Sequence, residues 1–159
     1  MMPGKHDFDF LPGRWEVRNR RLTDMLDPAC DEWEEFAATS DAEQMLGGYG
    51  NLDHFQTGDY EGFSLRLYSP EEDLWRIWWS STRRPGRLDP PVEGRFSADG
   101  TTARFETDDV LDGIPLKMRF DWSEIAGDSA RWDQAFSFDD GKTWKPNWTM
   151  WLSRRSDEL

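Results

Sequence analysis

The sequence predicts one all-β domain over residues 1–159: a closed antiparallel up-and-down β-barrel of about ten strands, preceded by a short N-terminal helical turn. Three observations predict it. Apolar and polar side chains alternate with period two over almost the whole chain, the spacing of strands with one buried face. Turn-forming Asp-Gly, Gly and Pro positions interrupt that alternation roughly every 8–12 residues. The chain is only 36% hydrophobic but 14% aromatic, with ten Trp and ten Phe, so a few large rings carry much of the burial.

The elements follow in order. Phe8 to Leu11 suits one helical turn. Arg14 to Arg20 alternates, with Trp15 and Val17 on one face and Asn19 and Arg21 continuing that face to the far end of the strand. Leu22 to Ala29 has room for a second turn, and Trp33 to Thr39 is a more ambiguous strand. Leu46-Gly47-Gly48 leads as a flexible bend into Gly50 to Gln56. Phe63 to Tyr68 alternates and ends at the turn Ser69-Pro70-Glu71-Glu72-Asp73, because Pro has no amide for a ladder. In Leu74 to Ser80 the purer apolar face is Trp75, Ile77 and Trp79.

An Arg- and Pro-rich loop, Thr82 to Pro91, precedes Val92 to Phe96. Asp99-Gly100 joins that strand to Thr102–Asp108, and Asp112-Gly113 makes the next hairpin. Ile114, Leu116, Met118, Phe120 and Trp122 then alternate with Pro115, Lys117, Arg119 and Asp121, the clearest strand in the chain. Trp132 to Phe138, the turn Asp139-Asp140-Gly141 and Asn147 to Arg154 complete the set. Short sequential hairpins favour a meander over a Greek-key sandwich. Closure also removes edges that an aromatic-rich sheet would otherwise expose.

Charge and composition exclude some functions. The net charge of −13 repels phosphate backbones and anionic lipid surfaces, so neither nucleic acid nor membrane is an expected partner. The single cysteine, Cys30, rules out an intrachain disulfide and suits a reducing compartment. Met1 to Phe10 has no apolar signal-like core, and no run approaches a membrane span, so the cytoplasm is expected.

Two features at opposite ends carry a resemblance: Gly13-Arg14-Trp15 opening the first strand, and Arg154-Arg155 ending the last. Their placement resembles the calycin group of lipocalins and fatty-acid-binding proteins. The resemblance implies that Gly13, Trp15 and Arg154 are structural, with Trp15 plugging the barrel base and Arg154 lying across its ring, an arrangement that gains cation–π energy. Phe10-Leu11-Pro12-Gly13-Arg14-Trp15, Leu88 to Phe96 and Arg131 to Ser137 look like uncharacterised bacterial lipocalin-like proteins of a domain-of-unknown-function family, which implies the barrel and no activity. The chain departs from secreted lipocalins in having no disulfide pair and in Thr57-Gly58-Asp59-Tyr60, where a Gly interrupts their T-D-Y motif.

Chemistry-bearing motifs are few. Of the two histidines, His6 belongs to the N-terminal tail, and His54 sits on the opposite strand face from Asp53. No spacing of His or Cys suggests a metal, so neither metal nor cofactor is expected. Haem-binding barrels similar to nitrobindin use a late His, and nothing after His54 is histidine. Asp108-Asp109 and Asp139-Asp140 read as solvated turn residues.

Polar residues on apolar faces carry more weight, because buried polar groups need partners within the protein or on a ligand. Trp75, Trp78, Trp79, Trp122, Trp132, Trp144, Trp148 and Trp151 suggest an aromatic wall. The reading is a barrel that binds a small apolar or aromatic molecule with a polar or anionic end. Trp75 and Trp79 form the wall, and Asn19, Arg21 and Gln134 meet the polar end. A purely structural alternative pairs Arg21 with an acid such as Glu35, and Gln134 with backbone. Two other functions stay open: a barrel enzyme of isomerase, cyclase or hydratase type using pocket carboxylates or His54, and a structural or oligomeric module, such as a homodimer, with a filled core.

Overall fold

The structure is a computed structural model that describes residues 4–155. Ten strands run in sequence: β1 (Gly13–Leu22), β2 (Trp33–Met45), β3 (Gly50–Gln56), β4 (Glu61–Ser69), β5 (Leu74–Ser81), β6 (Val92–Phe96), β7 (Ala103–Leu111), β8 (Ile114–Ser123), β9 (Ser129–Ser137) and β10 (Lys145–Arg154). Each pairs antiparallel with its sequence neighbours, and β1 pairs with β10, closing an all-β barrel in meander order. β2 is longer than the alternation suggests, continuing past Thr39 as far as Met45. Asp108 and Asp109 belong to β7 and not to a turn.

The turns explain the sharp reversals. Asp112 and Gly113 both have positive φ, the conformation of a two-residue type I′ hairpin. The bend before β3 is a short 3-10 turn at Leu46–Gly48. Near the N-terminus the amides of Asp7, Asp9 and Leu11 donate to the carbonyls of Gly4, His6 and Phe8, so successive turns fold this segment under the barrel.

That segment forms the base. Phe8 sits edge-on to Trp75 and Phe96, with ring centroids 4.9 Å away in each case. Trp15 is wholly buried, and its Nε1 donates to the Leu11 carbonyl at 2.8 Å. Arg154 lies over the Trp15 ring at 4.2 Å and donates to the carbonyls of Pro12 and Phe10. Gly13, at φ +130°, leaves space for it: a Cβ there would clash with the Arg154 guanidinium. The opposite end is the mouth, where the loop between β5 and β6 folds over the opening. The Asp89 amide donates to the Trp79 carbonyl, and Ser80 Oγ donates to the Arg87 carbonyl.

Candidate functional site

Between base and mouth lies a cavity of about 200 Å³. Inward-facing positions of nearly every strand line it: Trp79 from β5, Phe120 and Trp122 from β8, Trp132, Gln134 and Phe136 from β9, and Trp148 and Met150 from β10. The rings interlock. Trp132 meets Trp148 edge-on at 5.5 Å and Phe120 at 4.9 Å. Arg84, Asp89 and Pro90 of the covering loop, with Leu111, reach the outer end.

Of the residues expected to meet a ligand, Trp79 and Gln134 lie on this wall. Gln134 Nε2 donates to Asn147 Oδ1 at 3.0 Å, a side-chain partner where backbone was the structural alternative. Asn147 turns inward beside Trp148 because the β10 register shifts between Pro146 and Trp148. The other three expected residues do not line the cavity. Trp75 belongs to the base, packed on Phe8 and donating through Nε1 to Asp7 at 3.2 Å. Asn19 is fully buried and accepts from Trp148 Nε1 at 2.9 Å, which fixes that ring's orientation.

Arg21 faces inward near the mouth, stacked between Phe36 and Trp148. Its Nε donates to Glu34 and its Nη1 to the Tyr60 hydroxyl at 3.1 Å. The acid is Glu34 and not Glu35, because Glu34 stands directly opposite Arg21 in the β1–β2 register and one residue's difference reverses the face. Burial pushes the Tyr60 hydroxyl up, and the Arg21 charge opposes that shift.

His54 points out of the barrel and binds Glu61 at 2.8 Å, so it is no base for the cavity. Trp151 is also outside, beneath Arg18 at 4.5 Å, and Trp144 packs against Arg119 at 4.3 Å, so neither walls the interior. Among the described residues, no group of three or more His, Cys, Asp or Glu side chains is placed to hold a metal. No helix there is long and apolar enough to cross a membrane.

The polar inner end of the cavity does not stand out in the sequence. On β3 and β4 the polar alternate residues face inward: Asn51 and Asp53 on one strand, Ser64 and Arg66 on the other. Arg66 Nη1 donates to Asp53 at 2.7 Å and to Asn51 at 2.9 Å, and Ser40 Oγ donates to the second Asp53 oxygen at 2.9 Å. Both charged side chains are almost fully buried. The signal was present, since Asn51, Asp53 and Phe55 share a face, but Leu65 and Leu67 resemble a core face while lying outside. At the mouth, burial pushes the Asp89 carboxyl up despite Arg84 at 3.9 Å.

No family model matches the chain, and no curated protein matches it. Solved structures do. The S-type phycobiliprotein lyase CPES from Guillardia theta superposes with a TM-score of 0.62 at 14% identity, covering 99% of this chain and 95% of that one. Rv2717c from M. tuberculosis superposes with a TM-score of 0.64 at 10% identity, covering 98% and 99%. Both are lipocalin-like barrels, and at these identities the likeness is one of fold.

Proposed function

We infer that this chain is a cytoplasmic binding barrel for a small, largely apolar or aromatic molecule with one polar end, and that Trp79 and Gln134 touch it. The observation that carries the reading is the aromatic-walled cavity with a few polar groups fixed along it, the composition of small-molecule sites. Its roughly 200 Å³ is below the range of about 300–1,000 Å³ for drug-sized sites, so the guest has one or two fused rings. Asn19 and Arg21 act at one remove, by holding Trp148 in place. Trp75 supports the base. A cavity of this size weighs against a module whose interior is filled.

Native mass spectrometry of freshly purified protein is expected to show a co-purified small molecule, and aromatic probes are expected to quench tryptophan fluorescence. Unchanged fluorescence with a panel of such probes, together with a bare mass, would sink the reading.

An enzyme remains the second reading because of Asp89. Its carboxyl sits at the cavity mouth and holds its proton more readily than an ordinary one, as a general acid does. A neighbour of the same fold is a phycobiliprotein lyase. If a bound molecule is turned over, Asp89→Asn should abolish turnover and leave binding intact; unchanged turnover would remove Asp89 from that role.

A further inference from the structure

We propose that the inner end of the cavity is a recognition point for a neutral hydrogen-bond acceptor, a ketone, amide or lactam carbonyl, held by Arg66 and Ser64. The proposal rests on the binding-barrel reading and adds the guest's orientation, polar end inward, and its chemical class.

Arg66 is 95% buried on a wall of the cavity. A guanidinium carries five N–H donors in a fixed fork. Here Nη1 serves Asp53 and Asn51. Nε has no partner, and no hydrogen bond is formed at Nη2 among the described residues. A buried donor without a partner is uncommon in native proteins, so an acceptor that reaches Nε would relieve a standing penalty. Ser64 lines the same cavity directly opposite Asp53, with its hydroxyl likewise engaged by no described residue. Trp122 crosses this end of the cavity with its own Nε1 unpartnered and its ring centroid 6.0 Å from the Arg66 guanidinium.

Charge selects between acceptors. Asp53 already neutralises Arg66 at 2.7 Å. Asp7 stands behind Trp75 in the base. A carboxylate brought here would be an extra buried negative charge with no cation left to balance it, whereas a carbonyl needs only donors. The cations at the mouth do not alter this, because Arg21 is committed to Glu34 and Arg84 stands beside Asp89 at the far end of the cavity.

The test measures calorimetric affinities of three probes with one ring system: naphthalene, 2-acetylnaphthalene and 2-naphthoate. Naphthalene reads the apolar cavity, and the ratios read its inner end. The native protein is expected to bind 2-acetylnaphthalene at least about tenfold more tightly than naphthalene, and 2-naphthoate more weakly than 2-acetylnaphthalene. Arg66→Met combined with Asp53→Leu removes the pair together, so no lone charge is stranded, and should bring the acetyl-to-naphthalene ratio to about one. Ser64→Ala, which leaves the ion pair intact, should reduce it about threefold and decides the matter if the double variant does not fold. Equal binding of naphthalene and 2-acetylnaphthalene by the native protein overturns the carbonyl site and leaves the binding reading standing. Preference for 2-naphthoate overturns the neutral class. Binding of none of the three overturns both readings.

Discussion

Trp15 shows how much one residue holds. It is wholly buried, hydrogen-bonded to Leu11 and covered by Arg154. Trp15→Ala should therefore cost about 3–5 kcal/mol, as for other buried aromatics, read as a lower denaturation midpoint; a melt within a degree or two of native would remove it from the core. Asp139 gives a pH signature. Its carboxylate accepts from the hydroxyl and amide of Thr143 and from Ser137 Oγ, and these bonds hold its pKa at about 2 instead of 3.8. A depressed folded-state value means stability that is present above pH 3.8 and lost as the pH falls towards 2. Asp139→Ala should flatten that part of the acid melting profile, and an unchanged slope would contradict the assignment. At this scale the inward face of β1, Asn19 and Arg21 included, was legible, because alternation alone sets it. The Asp53–Arg66 pair was not, because pairing across two strands depends on register and no single segment displays it.

Strands show which alternations mislead. β8 reads directly, since its apolar residues are the inward ones. β4 inverts, placing Ser64 and Arg66 inside while Leu65 and Leu67 cover the exterior. A period-two pattern names two faces and does not say which is in; a buried ion pair can take the inner one. The irregularity in β10 that turns Asn147 inward left no mark in the sequence either. Gly62 on β4 has a clear role once the fold is known. Trp79 of β5 lies against it, so a Cβ there would fall 2.5 Å from the indole and 2.7 Å from the Ser80 carbonyl. Gly62→Ala should cost about 1–3 kcal/mol by overpacking. It should also weaken aromatic probes, because Trp79 must leave its place on the cavity wall. Full retention of both stability and binding would show that the wall adjusts freely there.

For the whole molecule, meander order follows from short hairpins, and closure follows from the same hairpins running until the last strand meets the first. The size of the cavity was not legible, since aromatic residues fill small barrels as readily as they line cavities. A bound guest should stabilise the entire barrel: at a hundred times its dissociation constant, by about 2.7 kcal/mol. A thermal midpoint that does not move with a tightly binding probe would place that probe outside the barrel.

The junction of β1 and β10 also bears on the order of events in folding. Each hairpin forms between neighbouring segments, but this seam joins distant ones: Arg154 reaches the Phe10 carbonyl across 144 residues. Such a contact carries the largest loop-closure entropy in the chain and is expected to form after the transition state. Arg154→Ala should then leave the refolding rate nearly unchanged and accelerate unfolding, since interactions absent from the transition state appear in the unfolding limb. Stopped-flow chevrons showing slowed refolding would instead place the clasp in the folding nucleus. On the expected outcome, the stacked Trp15–Arg154 pair acts as a kinetic latch: it does little to help the barrel form and sets how long it stays closed.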